Sequence, residues 1–554
     1  MPRGKGEQGE ISLRTNLGAA IFPFASELWG RTIIVNGVDE NYDRYNAAST
    51  DKDKGVPQVF YMHNCMPILS GFQSVGYEQL IPAQTSATTF DQIFTLTGTG
   101  GYSYLFSPCG VTPAIYDSKQ MEWFNPTVSP ALPTSYVPAV SVATVNGQSY
   151  IYYSGIGCYE YVPATPELLG VTLTSLTPAN ILGISAASGY MLAYTSTGVY
   201  WSSTTTPTDF TPSVQTGAGG GNIQQIKGQI VAVYPISGGF LIYCTQNIVA
   251  AAYTGNIQFP FTFTEVPGSA GINFGYQTSW RSNTSPHYAF TSAGLMEINL
   301  NACALTNEEI ADFISSCIFE DFDPNTLTFT SQILTQQVYT KLNYISERYL
   351  VVSYGVSQGN YTHAIVYDNF LGRYGKLKIN HVDCFDYVSP SIQGTYEYES
   401  FVNIPYNAMT GSYGAYAGNP TNVSTNFVYK KTFAFLQSSG AVYNVNFDIN
   451  SYDNLLGNNS VFVLGKYQYI RENFITHQKT EVETIYNGAT FETYLLQSLN
   501  GKDISATTEM TLASQGNKVV NYALRQTGKN VSLMFIGSFN LTSVITYFTI
   551  AGKR

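Results

Sequence analysis

The chain has 554 residues and a formal net charge of −11, and only 11% of its residues are charged, against about a quarter in an average soluble domain. That balance excludes a protein that grips nucleic acid by its phosphates, which takes a surplus of Lys and Arg. The abundance of Tyr (43), Phe (32) and Gly (49), with Ser, Thr and Asn in place of charge, favours strands and tight turns over helices.

Residues 1–30 read as an N-terminal arm. It is polar from Met1 to Glu7 with no apolar stretch directly behind, so no secretory signal is visible. Phe22, Phe24 and Trp29 follow, an apolar set suited to docking. Arg31 to Gly37 reads as a strand ending in an Asn-Gly turn. Asp39 to Val56 is polar, with Asp51 to Gly55 as an exposed loop tip.

From about residue 57 to 450 one unit recurs: an apolar or aromatic strand, a short turn ending in Gly, and a second aromatic strand. Copies run from Tyr104 to Gly110, Ile151 to Tyr159, Leu192 to Trp201, Val231 to Tyr243, Tyr288 to Met296 and Phe433 to Tyr443. Counted at Gly110, Gly157, Gly198, Gly239 and Gly294, the steps are 47, 41, 41 and 55 residues. Propeller blades repeat at roughly 40–50 residues, and one blade cannot bury its faces alone. Between Glu167 and Lys227 the only charge is Asp209, a texture of closely spaced strands. Ser, Thr, Gly and Pro break every apolar run well before the ~18 residues of a membrane span.

Within this region Gly217 to Asn222 reads as a flexible turn, since no Lys-Ser/Thr and no helix follow to make a phosphate cradle. Glu320 to Asp323, beside Pro324 and Asn325, reads as a solvated loop. The single good helix is Asn307 to Ser316: Thr306 and Glu309 suit a capping box, and Ile310, Phe313 and Ile314 share one face. It is expected to fill a gap between blades. Tyr349 to Tyr354 and His363 to Tyr367 are further strands. Asp368 and Arg373 are placed for an ion pair across a hairpin.

From about 451 the repeat is lost. Val461 to Leu464, Thr480 to Ile485, Phe491 to Leu496 and Val544 to Ile550 read as strands of a separate β-domain, after a turn at Gly457 to Ser460. Residues 451–554 carry nine Lys/Arg and seven Asp/Glu, a balance of +2, so residues 1–450 carry −13. The expected fold is therefore all-β with very little helix: arm 1–30, β-propeller 31–450, C-terminal β-domain 451–554.

Catalytic patterns are missing from the sequence. The seven cysteines, Cys65, Cys109, Cys158, Cys244, Cys303, Cys317 and Cys384, form no CxxC pair and read as free core thiols of a reducing compartment. The five histidines, His63, His287, His363, His381 and His477, show no HxH or HExxH spacing. His381 and Asp383 would share a strand face, without a third metal ligand in view. His363, in an alternating strand, reads as a hydrogen-bonded structural residue. No nucleophile elbow and no Walker loop occur. The sequence thus predicts no catalytic, cofactor-binding or metal residues, and a chain that is not an enzyme.

One stretch carries a resemblance. Tyr344 to Gly355, followed by Ala364 to Asp368 and Gly372 to Leu377, resembles a blade of tail nozzle or tail-hub proteins (tail accessory factors) of short-tailed bacteriophages, where a Val-Tyr-Asp strand precedes Arg-Trp/Tyr-Gly. Tyr253 to Phe261 is similar to another blade of that group. The resemblance covers residues 190–450 and is one of texture. It implies a structural virion protein of the phage tail, assembled in the host cytoplasm as a homo-oligomer, usually a hexameric ring. Such a ring contacts the portal and adaptor proteins, carries fibres or spikes, and passes phage DNA during genome ejection without binding it specifically. The acidic body suits that conduit, because it repels phosphates. The alternatives are a carbohydrate-active or carbohydrate-binding β-propeller and a receptor-binding tail spike.

Overall fold

The computed structural model describes residues 10–16, 33–35 and, with short interruptions, 59–391, 428–447 and 460–552. Phe22, Phe24, Trp29, the loop 39–56 and Cys317 lie outside the described residues. Among the described residues seven blades follow one another in chain order, the sixth continuing into a larger eleven-stranded sheet. Blade one holds Phe94–Thr97, Ser103–Ser107, Ala114–Asp117 and Glu122–Phe124. Blade two holds Val140–Val145, Gln148–Tyr153, Gly157–Val162 and Glu167–Val171. Blade three holds Gly183–Ala187, Tyr190–Tyr194, Gly198–Trp201 and Gly219–Asn222. Blade four holds Ile230–Ile236, Gly239–Cys244, Ile248–Tyr253 and Phe261–Glu265. Blade five holds His287–Thr291, Gly294–Ile298 and Cys303–Leu305, and blade six holds Tyr339–Ile345, Tyr349–Gly355, Tyr361–Asp368 and Arg373–His381. Blade seven holds Asp383–Ser391, Val428–Leu436 and Val442–Asn446, and takes its fourth strand, Gly76–Ile81, from ahead of blade one. Antiparallel meanders of this length, with first and last parts of the repeat sharing one sheet, make a β-propeller.

The strand sequences follow from what covers them. A blade packed on both faces needs apolar residues at every position, and Tyr190–Tyr194 and Gly239–Cys244 are buried throughout. An outer strand has one wet face, and Phe261–Glu265 alternates accordingly. Blades two and three share a core around Tyr152, Ile184, Met191 and Phe210. Blades four and five share another around Leu241, Ile248, Ala289 and Met296.

Three expectations are corrected. Gly219–Asn222 is a strand, not a turn: it pairs with Gly198–Trp201. A Cβ on Gly219 would press on the Trp201 ring, and one on Gly220, at φ +137°, would meet the Tyr200 backbone at 2.5 Å, so the glycines let the last strand lie flat on bulky neighbours. Glu320–Asp323 is no loop but lies in the strand Ile318–Asp323, paired with Thr328–Ile333. Gly239 is not equivalent to Gly110, Gly157 and Gly198. It joins the first and second strands of blade four, whereas Gly110, Gly157 and Gly198 join second and third. The matching turn in blade four is Thr245–Gln246, which evens out the 41 and 55 residue steps.

The helix spans Glu308–Ser316. Ile310 and Phe313 are buried, with Ile314 packed beside them, against Leu295 of blade five and Tyr354 of blade six. The amphipathic face is thus spent between these two blades, as its spacing predicts.

By compactness the chain divides into one unit of residues 1–80, 223–384 and 443–554 and another of 81–222 and 385–442. In the first, the strands after residue 460 pair with strands from near the N-terminus. Val461–Leu464 pairs with Val59–His63, and Phe539–Gly552 pairs with Gly71–Ser74, Phe474–Tyr486 and Glu10–Asn16. The last of these lies within the expected arm. Cys65–Ile68 continues the sheet of blade six through a single pairing, Lys376 with Cys65. Gly375 permits it: a Cβ there would stand 2.7 Å from the Cys65 carbonyl oxygen and the Met66 sulfur. Asn64, in left-handed conformation at φ 51°, is the knot. Its side-chain oxygen accepts from Tyr77 Oη at 2.7 Å and the Lys378 amide at 2.9 Å, and its carbonyl from Ser460 Oγ at 2.8 Å.

Candidate functional site

The residues that carry the sequence resemblance meet at one corner of blade six. Asp368 ends the third strand and its carboxylate is fully buried. A buried carboxylate must be matched by donors, and five hydrogen bonds reach this one: Arg348 Nε to both oxygens at 3.0 and 3.1 Å, Arg348 Nη2 at 2.6 Å, and the amides of Phe370 and Leu371 at 3.0 and 3.1 Å. The expected partner was Arg373. Although Arg373 lies opposite Asp368 in the register, its Nη1 donates to the Ile68 carbonyl at 3.0 Å, and Arg348 from the neighbouring hairpin takes the carboxylate. Hydrogen bonding to Asp368 pushes the Arg348 pKa up, whereas burial lowers that of Arg373.

Arg348 is delivered by a tight turn whose two central residues, Ser346 and Glu347, both stand at φ 55°. The Arg348 amide donates to the Ile345 carbonyl at 3.0 Å. Asn and Gly are the usual occupants of such a turn, so two side-chain-bearing residues there store strain. Tyr344 Oη braces it on the Glu347 carbonyl at 2.8 Å, and Asn369 donates to Tyr344 Oη and Tyr288 Oη. The guanidinium lies between two rings, 5.0 Å from the Tyr349 centroid and 5.6 Å from that of Phe370. Its side chain remains 41% exposed, Phe370 is 80% exposed, and Leu69, in the turn that Arg373 ties down, is 79% exposed. A clamped Arg flanked by aromatic rings, one of them exposed, is the kind of group that anchors recognition surfaces.

A second cluster joins blade six to the first residue of blade seven. Lys341 Nζ meets Asp383 Oδ1 at 2.8 Å, with the side chains 6% and 0% exposed. His381 Nδ1 faces the Ile379 carbonyl at 2.8 Å and Nε2 faces Ser353 Oγ at 2.7 Å. A carbonyl only accepts, so Nδ1 carries the proton and Nε2 accepts from the Ser353 hydroxyl. Burial lowers the His381 pKa to about 4, which keeps the ring neutral at pH 7. Ser353, His381 and Asp383 are the residue types of a nucleophilic triad, but the carboxylate serves Lys341 and the hydroxyl is fully buried. This cluster orders the core. Among the described residues no group of three or more His, Cys, Asp or Glu could hold a metal, His381 and Asp383 included.

The other histidines also face hydroxyls: His63 with Tyr61, His287 with Tyr243, His363 with Thr362 and His477 with Thr480. Burial pushes the thiols of Cys109, Cys158 and Cys244 up to about 12, so they stay protonated and unreactive at neutral pH.

The third feature is the tip of blade four, 253–260, between its third and fourth strands. No charged residue occurs between Lys227 and Glu265. The tip is stiffened from within: the Thr254 amide donates to the Pro260 carbonyl, the Phe259 amide to the Asn256 carbonyl, the Gln258 amide to Asn256 Oδ1, and Thr254 Oγ1 to the Phe259 carbonyl. That frame holds Phe259 out, 70% exposed, beside the part-exposed Tyr253 and Ile257. The sequence placed these residues in a blade but gave no sign that Phe259 faces solvent, because strand alternation assigns aromatics to the core.

No protein-family model matches the chain, and no curated protein matches it. Solved structures similar to it include the WD40 β-propeller domain of Doa1, at 8% identity and TM-score 0.35, covering 68% of this chain and 98% of that one. They also include a glycoside hydrolase at 10% identity and TM-score 0.21, covering 83% and 99%. A third is the exo-β-1,3-galactanase of Phanerochaete chrysosporium with galactose, at 10% identity and TM-score 0.25, covering 85% and 100%. The expectation that the chain is not an enzyme is corrected by the last two: glycoside-cleaving proteins stand among its structural neighbours, so catalysis is not excluded. At these identities and scores the neighbours transfer no activity, and the propeller assignment rests on the sheet topology itself.

Proposed function

We propose that the chain is an assembly subunit of the kind that forms the tail nozzle of a short-tailed bacteriophage: a homo-oligomeric ring, six-fold by resemblance, that passes DNA and carries fibres or spikes. The observation that supports this reading is the use made of the resembling residues. Asp368, Arg373, Tyr374 and Gly375 are spent on fastening blade six to neighbouring elements and on presenting a rigid Arg and aromatic corner. They build a surface for a protein partner rather than a pocket for a small molecule. Negative-stain imaging of the purified chain tests the reading. A ring with an axial channel is expected; a monomer at all concentrations refutes it.

A second reading, a carbohydrate-binding or carbohydrate-active propeller, is favoured by one feature, the uncharged tip with Phe259 and Tyr253 exposed, since aromatic faces stack on sugar rings. Retention of the chain on a glycan array, lost in Phe259→Ser, would favour it over the ring.

A further inference from the structure

The tip 253–260 and the Arg348 corner belong to the same compact unit, and their chemistries are complementary. The tip offers aromatic and aliphatic side chains with no charge. The corner offers a half-exposed guanidinium between the Tyr349 and Phe370 rings, Phe370 itself being exposed. The faces of the guanidinium are covered by Tyr349 and Phe370, and its Nε and Nη2 donate to Asp368. Its remaining N–H edge is left for the carbonyls of an uncharged loop, and the exposed Phe370 ring beside it suits an aromatic side chain. Two copies of a chain carrying −11 repel each other, so contact between them must use surface without excess acid. The tip has no charge, and at the corner Glu347 and Asp368 are balanced by Arg348 and Arg373. Both features are held rigid by their own hydrogen bonds, which lowers the ordering cost of association. Two different complementary patches on one molecule generate head-to-tail contacts, which build a ring where the rotation between copies closes and a filament where it does not.

We infer that copies of this chain join head to tail, the Phe259 tip of one seating on the Arg348–Phe370 corner of the next. The inference rests on the assembly reading and says which surfaces carry it.

The test compares the full-length chain with Phe259→Ser and Phe370→Ser by mass photometry across a concentration series, with circular dichroism to verify folding. Both side chains are solvent-exposed, so the variants keep their cores. Each variant alone is expected to associate at least about tenfold more weakly than the parent chain, as loss of a central aromatic anchor does. Their equimolar mixture should form one-to-one dimers, because each supplies the patch the other lacks. Val214→Ser, at another exposed apolar residue in the other unit, should assemble like the parent. If the parent forms rings and both variants do too, the contact lies elsewhere and the assembly reading stands alone. If only Phe370→Ser is impaired, or the mixture stays monomeric, the head-to-tail pairing is wrong. If the parent chain is itself monomeric, the assembly reading fails and takes this inference with it.

Discussion

Blades four and six have the same four-stranded meander and opposite interiors. Blade four has no charged residue from Gly228 to Thr264. Its second strand, Gly239–Cys244, is buried along its whole length by apolar and aromatic neighbours. Blade six buries Lys341, Asp368, Lys376 and His381, and Lys341 pairs with the buried Asp383 that opens blade seven. One blade is held by area removed from water, which is tolerant of detail. The other is held by charges that must each keep a partner, which is intolerant of loss but fixes register and neighbours. Blade six is also where the strands near the N-terminus attach, through Lys376 opposite Cys65 and Lys378 against Asn64, and those strands in turn pair with the C-terminal ones. The polar interior thus sits where a unique geometry matters most.

The largest effect expected from this contrast is at the Lys341–Asp383 pair. Asp383→Asn leaves an ammonium buried without its counter-charge and should destabilise by about 4 kcal/mol, read as a fall in the urea midpoint of the unit that contains it. Lys341→Met with Asp383→Leu removes both charges and should recover most of that loss. A single variant costing no more than a surface change would show that blade six is not held by its ion pair.

Next comes the corresponding change in blade four. Leu241 is fully buried in the core shared with blade five. Leu241→Ala should cost roughly 3 kcal/mol through lost burial and the cavity left behind. Leu241→Met should cost little, since volume is nearly kept. If Leu241→Met is as damaging as Asp383→Asn, the two interiors do not differ in tolerance.

The third effect is a pH dependence contributed by His381 of blade six. His381 is held neutral by burial with a folded pKa of about 4, while in the unfolded chain it titrates near its ordinary value of about 6.5. Between those values the unfolded state binds the extra proton. Stability is therefore full above about pH 6.5, falls as the pH drops, and by about pH 4 is lower by at most roughly 3 kcal/mol from this group. His381→Gln should flatten the slope of denaturation midpoint against pH over that window, and Leu241→Ala should leave the slope unchanged.

Much of this architecture was readable in the sequence because blades are local. The aromatic strand, Gly turn and aromatic strand of Leu192 to Trp201 or Tyr288 to Met296 fold on themselves, and Val461–Leu464 appears as a strand within the expected bounds. What could not be read was decided by distant partners. Gly219–Asn222 has no side-chain pattern, and only the Trp201 ring beneath it explains why it is a strand. Asp368 was assigned its nearest Arg, but the strained turn at Ser346 and Glu347 brings Arg348 to it first. The pairing of Gly76–Ile81 with the last strands of the repeat spans most of the chain and leaves no local trace. Exposure was the hardest property to read: Phe259 and Phe370 have the same composition signature as the buried Phe240 and Phe261.

The smallest effect concerns the backbone rather than the interior, and it separates the corner's stability from its use. Glu347 sits at φ 55° in an exposed turn, between Ser346 in the same conformation and Arg348. Left-handed backbone costs an L-residue about 1 kcal/mol that glycine does not incur. Glu347→Gly should therefore raise stability slightly, by roughly 0.5 kcal/mol once glycine's greater freedom in the unfolded chain is subtracted. No contact of the Arg348–Asp368 pair is touched by the change, so the turn relaxes while its hydrogen bonds to the buried carboxylate persist. Blade four has no counterpart to this: its turns at Gly238 and Gly255 already place glycine at positive φ. A glycine-bearing corner that is more stable but assembles less well would mean that the strain is kept because it aims Arg348. A corner that gains neither stability nor loses association would mean that Tyr344, by bracing the Glu347 carbonyl, already offsets the strain in the folded chain.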